Sequence, residues 1–177
     1  ESGAFLDPFY SPGTDCIAMS NVFITDLIIR DFKGEDVSER VSRHNFLYLK
    51  LIESFFQVYQ MQYPIMGNSQ VMLTKISWDY ASYWAGIGIL FFADKLTDID
   101  FIKSVMADLV KFSSLHAQIQ KVFRDWAKKT SNKSESVFID SLSLSFLYSL
   151  NSDLAKVKSG DVQERFRKNI LFLESLV

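Results

Sequence analysis

The sequence is poor in cysteine, proline, glycine and histidine, and each shortage excludes or favours a particular structure or site. Its single cysteine, Cys16, lies in an apolar segment, so no intramolecular disulfide can form and a reducing compartment is expected. With only three prolines and seven glycines, the chain is predicted to be mostly helical. Its two histidines, His44 and His116, are 72 positions apart and lack ligand-spaced partners, so we predict no metal site.

The sequence also lacks long apolar runs and a strong net charge. The apolar, uncharged stretch Tyr80–Ala93 is shorter than the about 20 residues that a membrane span needs. No signal-peptide pattern opens the chain. A net charge of −2 argues against a nucleic-acid-binding surface, and 48% apolar residues predict a sizeable folded core. We therefore expect a soluble, cytoplasmic protein without nucleic-acid partners.

Common catalytic motifs are missing as well. There is no Gly-x-Gly-x-x-Gly fingerprint, P-loop or nucleophile elbow. Asp98 and Asp100 are interpreted as charges at a helix start rather than as an acid–base pair. No catalytic residue is predicted from the chain itself.

Apolar residues at three- and four-residue spacing between capping signals predict an all-α bundle of five or six helices after an irregular Glu1–Gly13. The predicted starts are Thr14 or Asp15, Asp36, Asn68 or Ser69, Thr97, and Asp161, with one further helical segment from Phe138 to Leu150. The second helix is predicted to end at Pro64, and the fourth to run from Ile99 towards Lys129. Residues 130–136 are predicted to form a surface loop.

The first predicted helix organises the chain. Apolar residues occupy nearly all its faces, so we expect protein around it on every side, and Gly34 is expected to end it. The turn-rich Asp7–Gly13 precedes it. Its N-terminal N–H groups could receive an anion or a polarised carbonyl, although an ordinary loop feeding a buried helix explains the same residues.

Two further interpretations concern side chains of later helices. Trp78, Tyr80, Tyr83 and Trp84 could line a pocket for a flat or apolar substrate, or pack in a helical core. His44, with charged and amide neighbours, is predicted to be solvated.

Glu1-Ser-Gly-Ala-Phe5-Leu6-Asp7-Pro8-Phe9-Tyr10-Ser11-Pro12-Gly13 resembles the second flavin-binding motif of the flavin-dependent halogenase and monooxygenase superfamily. In that family an acidic residue after glycine is followed by Phe-x-Asp-Pro-x-x-Ser-x-Gly and a long helix. The resemblance implies FAD as cofactor, with Glu1 on the ribityl chain, although the preceding glycine is absent. It also implies that Asp7 and Pro8 shape the loop, and that Ser11 and Gly13 face the flavin.

The turn departs from the tryptophan halogenases of this family, which carry Glu-Ser-Thr-Gly there. Tyr10 stands at the catalytic glutamate position and Pro12 at the threonine position. Because proline has no N–H, one halide donor would be lost. A related oxidase, dehydrogenase or hydroxylase therefore fits as well as a halogenase.

The resemblance divides the chain into residues 1–34, a remnant of an FAD-binding domain, and residues 35–177, a C-terminal helical domain. It implies a C-terminal fragment that is inactive alone, whose partner is a missing N-terminal FAD-binding region. The implied substrate is small and aromatic or apolar, with Tyr10, Trp78, Tyr83 and Trp84 as pocket candidates. The alternative is a stand-alone helical module that binds an apolar ligand or a protein partner.

Overall fold

The computed structural model describes residues 5–130, 140, 143–157 and 161–177, and regular structure within these ranges is entirely helical. This confirms the predicted all-α class. The helices are α1 (Pro12–Phe32), α2 (Ser38–Tyr59), α3 (Ser69–Tyr83), α4 (Ile89–Phe92), α5 (Ile99–Ser104), α6 (Met106–Ala127), α7 (Ser145–Leu154) and α8 (Val162–Ser175). Glu1, most of the predicted 130–136 loop, and Phe138, Ile139 and Leu142 of the predicted helical segment lie outside the described residues.

The chain forms two compact units. Unit 1 comprises the residues up to Gln60 together with Leu96–Ile99, and unit 2 comprises Met61–Lys95 and Asp100–Val177. In unit 1, α1 packs against α2. No helix in the described part of the chain is both long and apolar enough to cross a membrane.

Helix α1 begins earlier than predicted. Its first residue is Pro12, so Thr14 and Asp15 lie inside the helix rather than capping it. Proline is favoured at this position because its missing N–H and fixed φ suit a first turn. The end is as predicted: Gly34 has a φ of 78°, and its N–H donates to the carbonyl of Asp31.

Helix α2 begins near the predicted capping signal and ends before the predicted stop. The carboxylate of Asp36 accepts the Ser38 N–H at 2.9 Å, which forms a turn just before the helix. The helix ends at Tyr59, five residues before Pro64, the predicted stop. Met61 has a φ of 59°, so the chain leaves the helix there, and Tyr63–Ile65 form a separate 3₁₀ turn.

Helix α3 starts where the sequence indicates, because the Asn68 side chain accepts the Val71 N–H at 3.2 Å. A π-helical turn, Trp84–Gly88, continues α3 into α4. Such a turn interrupts the regular hydrogen-bond ladder. The Asn169 amide of α8 donates to the Ala85 carbonyl in this turn at 3.1 Å, so the chain stabilises the irregularity.

The long helix predicted from Ile99 towards Lys129 is two helices, α5 and α6, which is a correction. The break is at the fully buried Val105. The Ser104 hydroxyl donates to the Phe101 carbonyl at 2.7 Å, a local bond that competes with helix continuation.

The core of unit 2 lies among α3, α6, α7 and α8. Its buried apolar members come from all four helices and the segments around them: Ile65, Val71, Met72, Trp78, Ala81, Ala85, Ile119, Phe123, Leu147 and Leu173. The Asp161 carboxylate accepts the Glu164 N–H at 2.9 Å, so the predicted start of the last helix is confirmed.

Candidate functional site

The turn before α1 is built from backbone and side-chain bonds within a few residues. The carboxylate of Asp7 accepts the Phe9 N–H at 2.8 Å, and the Ser11 N–H donates to the Pro8 carbonyl at 3.0 Å. Tyr10 and Ser11 both have left-handed backbones, with φ of 66° and 55°. Non-glycine residues rarely adopt this conformation, so the surrounding contacts must hold it.

A tyrosine of α2 supplies one of those contacts. The buried Tyr59 donates its hydroxyl proton to the Phe9 carbonyl, and its ring centre lies 6.4 Å from that of Tyr10. The rings of Phe9 and Tyr10 are themselves 4.2 Å apart. Aromatic packing and one long-range hydrogen bond therefore fix the turn on the C-terminal part of α2.

The left-handed residues feed directly into the first turn of α1. Ser11 precedes the helix without a side-chain capping bond, and the Thr14 N–H lies 3.3 Å from the Ser11 carbonyl. Gly13 is the second helical residue, and among the described glycines only Gly34 has a positive φ. The sharp turn within Asp7–Gly13 is therefore made by Tyr10 and Ser11 rather than by the glycine.

A charged cluster joins α1 to α2 further along. The Asp26 carboxylate accepts bonds from Arg30 at 2.9 Å and from Arg40 at 3.2 Å, and lies 2.7 Å from Nε2 of His44. Burial works against the charged carboxylate, but bonds from His44 and Arg30 outweigh it and lower the pKa of Asp26. Arg40 also donates to the Thr97 carbonyl at 3.1 Å.

His44 is buried rather than solvated, which corrects the sequence prediction. Only 2% of it is exposed, and its ring packs 4.9 Å from that of Phe23. The pattern misled because charged neighbours do not fix the face of the helix on which a residue lies. His44 lies on the face of α2 that packs against α1, where Asp26 of α1 is its partner.

Within the residues that the structure describes, only one side of α1 is covered, contrary to the expectation of protein all round it. Its buried residues form a single face: Pro12, Cys16, Met19 and Phe23. A second set at three- and four-residue spacing is exposed and uncharged, and we name it the outer stripe of α1: Thr14, Ile17, Asn21, Ile24 and Ile28. Phe32 beyond it is 92% exposed. An uncharged, isoleucine-rich face of this length is unusual for a solvated helix.

The four pocket candidates do not lie in one unit. Tyr10 belongs to unit 1, whereas Trp78, Tyr83 and Trp84 belong to unit 2. Trp78 is buried in the core, while Tyr83 and Trp84 are half-buried. The Trp84 ring stacks on that of Tyr80 at 5.3 Å. These contacts are those of aromatic core packing, the other interpretation of this helix.

Unit 2 contains a buried polar network that the sequence interpretation missed. The fully buried Lys75 donates to Asp79 at 2.6 Å and to the Gln120 side-chain oxygen at 2.9 Å. The Gln120 amide nitrogen donates to the other Asp79 oxygen at 2.6 Å, and His116 adjoins this group. Burial lowers the pKa of the Lys75 ammonium, although Asp79 opposes the shift. The bonds close a ring that ties α3 to α6.

A signal for this network exists in the sequence. Lys75 is four residues after the core residue Val71 and three before Trp78, which is core-facing spacing on a helix. Gln120 lies one residue after the core residue Ile119 and three before Phe123. Polar residues at core positions of two helices indicate a buried pair.

Metal or thiol chemistry finds no support in the described residues. Within them, no group of three or more histidine, cysteine, aspartate or glutamate side chains could hold a metal ion. Cys16 is buried, and burial, followed by the nearby Asp15, raises the pKa of its thiol. Cys16 is thus a small packed side chain of unit 1.

Comparison of the chain with protein-family models, with curated proteins and with solved structures finds no match. The function must therefore be argued from the residues and their geometry.

Proposed function

We propose that this chain is the C-terminal helical portion of an FAD-dependent, halogenase-like oxidoreductase, inactive alone. It would contribute a flavin-facing turn and part of the substrate-side domain. Support comes from the turn before α1: the residues that resemble the family motif are the ones that form a sharp, held turn into a long helix.

The geometry of this turn supports the proposal. Two left-handed residues, Tyr10 and Ser11, lead into a helix whose N-terminus lacks a side-chain cap. The N–H groups of a first helical turn favour negative charge, and a reduced flavin ring carries such charge. The Asp7 carboxylate is engaged by the Phe9 N–H, consistent with a loop-shaping role rather than a ligand role.

Each part of the chain would then have a limited task. Ser11 and Gly13 would face the ring, and Glu1 would hold the ribityl chain. Bound FAD would supply the redox chemistry, while these residues supply orientation and electrostatics. Halogenation, hydroxylation and dehydrogenation stay open, because Tyr10 and Pro12 replace the halogenase residues.

The exposure of the outer stripe of α1 supports the proposal that another domain packs against this face. Ile17, Ile24 and Ile28 are each more than two-fifths exposed. In the proposed enzyme this face would pack against the N-terminal FAD-binding region, which would satisfy the expectation of protein around α1.

The same face favours the second candidate, a helical module that docks on a protein partner. We expect the complete enzyme to be cytoplasmic, with a small aromatic or apolar substrate.

One pair of experiments separates these candidates. Titration of the 177-residue chain with FAD, followed by flavin fluorescence, should show no micromolar binding, because the chain has no fingerprint to hold the pyrophosphate. The complete reading frame that contains this chain should encode Gly-x-Gly-x-x-Gly upstream of Glu1 and yield a protein that purifies with FAD. A complete protein without fingerprint and flavin would refute the enzyme proposal and leave the docking module.

The outer stripe gives a sharper version of the test. Ile24→Glu in the complete protein should lower its flavin content, because a charge would be buried at the domain contact. The matched control is Phe46→Glu, a similarly exposed residue on α2. In the 177-residue chain both variants should have near wild-type stability. Equal flavin content in the two complete variants would show that the stripe does not contact the FAD-binding region.

A further inference from the structure

His116 of α6 is surrounded by hydrogen-bond donors. The Trp78 ring N–H donates to Nδ1 of His116 at 3.3 Å, and tryptophan has no acceptor to offer. Nδ1 must therefore carry the lone pair, and the proton of the neutral ring sits on Nε2. Nε2 in turn lies 3.5 Å from the side-chain nitrogen of Gln120, which is also a donor.

The orientation of Gln120 is fixed by its other partners. Its oxygen accepts from Lys75 at 2.9 Å, and its nitrogen donates to Asp79 at 2.6 Å. Reversing the amide would set its nitrogen against the lysine ammonium and its oxygen against the carboxylate. The amide nitrogen thus faces Nε2 of His116, so Gln120 offers no acceptor to the imidazole proton there.

The electrostatic surroundings agree with this geometry. Burial, with a smaller contribution from the Lys75 charge, lowers the pKa of His116 to about 4. The carboxylate on the facing helix α3, Asp79, is already engaged by Lys75 and Gln120.

In the described part of the chain, the other elements packed on α6 direct their charged side chains away from the His116 ring. The charged side chains that α8 directs at α6 are paired with α6 residues before His116: Arg167 bonds Asp108 at 3.0 Å and Glu174 bonds Lys111 at 2.8 Å. The 3₁₀ turn Tyr63–Ile65 is uncharged.

We propose that the contact between His116 and Trp78 is an acid-sensitive joint between α3 and α6. Protonation places an N–H on Nδ1, opposite the Trp78 N–H, and so replaces a hydrogen bond with two facing donors. It also adds a second buried cation beside Lys75. The joint opens on acidification and loosens the packing of these two helices in unit 2.

The pH range follows from linkage. Unfolded histidine has a pKa of about 6.5, above the folded value, so the unfolded state binds more protons between the two values. The stability that neutral His116 provides is complete above about pH 6.5 and is lost as the pH falls towards 4. From pH 7 to pH 4.5 the unfolding equilibrium constant should rise about 60-fold from this group.

The chain is well suited to the test. Its three tryptophans, Trp78, Trp84 and Trp126, all lie in unit 2, so tryptophan fluorescence during urea unfolding reports on that unit. His116→Asn keeps an acceptor near the Nδ1 position but does not titrate. The ratio of wild-type to variant unfolding constants should rise about 60-fold between pH 7 and pH 4.5.

The other histidine provides the matched control. His44→Gln in unit 1 keeps a donor for Asp26 and should leave the tryptophan-detected pH dependence unchanged. A wild-type to His116→Asn ratio that stays constant with pH would overturn the proposal.

A second readout needs no variant. Nitrogen-15 NMR of the two imidazole rings should find His116 neutral at pH 5.5, with its proton on Nε2. A His116 ring that titrates near pH 6.5, or that carries its neutral proton on Nδ1, would overturn the proposal even if His116→Asn fails to fold.

Discussion

The hydroxyl of Tyr59, at the end of α2, donates a hydrogen bond to the backbone carbonyl of Phe9, fifty residues earlier. This bond reaches the turn in which Tyr10 and Ser11 adopt left-handed backbones. A strained turn persists only where its surroundings hold it. The candidate flavin-facing geometry therefore depends on α2 as well as on the motif residues themselves.

Tyr59→Phe should loosen this turn without unfolding α1. Loss of one hydrogen bond costs about 1 kcal/mol, so exchange of the Ser11 N–H with solvent should accelerate by roughly fivefold. Amide hydrogen exchange measured by NMR checks this. Tyr48→Phe, on the same helix, is the matched control and should leave the exchange of Ser11 unchanged. Equal rates in the two variants would show that Tyr59 does not hold the turn.

Gly86→Ala should destabilise unit 2. A Cβ at Gly86 would lie 2.7 Å from the Phe112 ring, closer than two carbons can approach. Such overpacking costs about 1–3 kcal/mol in the free energy of unfolding, measurable by urea titration with tryptophan fluorescence. Adding Phe112→Leu should recover part of the loss. A double variant as unstable as Gly86→Ala alone would locate the cause elsewhere.

Asp79→Leu should be among the most damaging single changes in unit 2. It leaves the buried Lys75 ammonium without its carboxylate, and breaking a buried pair typically costs about 3–5 kcal/mol. The triple variant with Lys75→Met and Gln120→Leu replaces the whole ring with apolar groups and should regain most of the stability. If the triple variant were no more stable than Asp79→Leu in urea, the cost would not come from an unpaired charge.

The helical class and several helix ends were predictable because local chemistry decides them. Asn68 and Asp161 are capping residues whose side chains reach the N–H three positions later, whatever the rest of the fold does. Gly34 is likewise suited to the left-handed backbone conformation that ends a helix. These features need only the neighbouring sequence.

Features that depend on tertiary contacts were not predictable. Tyr10 and Ser11, rather than a glycine, make the sharp turn, and Tyr59 of α2 holds it through the Phe9 carbonyl and the Tyr10 ring. His44 is buried because Asp26 lies opposite it, and the buried network exists because Gln120 of α6 meets Lys75 of α3. A single helix pattern does not reveal its partner across an interface.

Gly13→Val in the complete protein shows whether the turn before α1 faces a flavin. Side-chain bulk at the second residue of α1 should push the ring from the helix N-terminus, and we predict lower flavin content. The midpoint potential should fall by roughly 10–20 mV, because the reduced ring loses its dipole partner. Trp84→Leu, in unit 2, should leave both values unchanged. Wild-type flavin content and midpoint potential in Gly13→Val would show that this turn does not face the flavin.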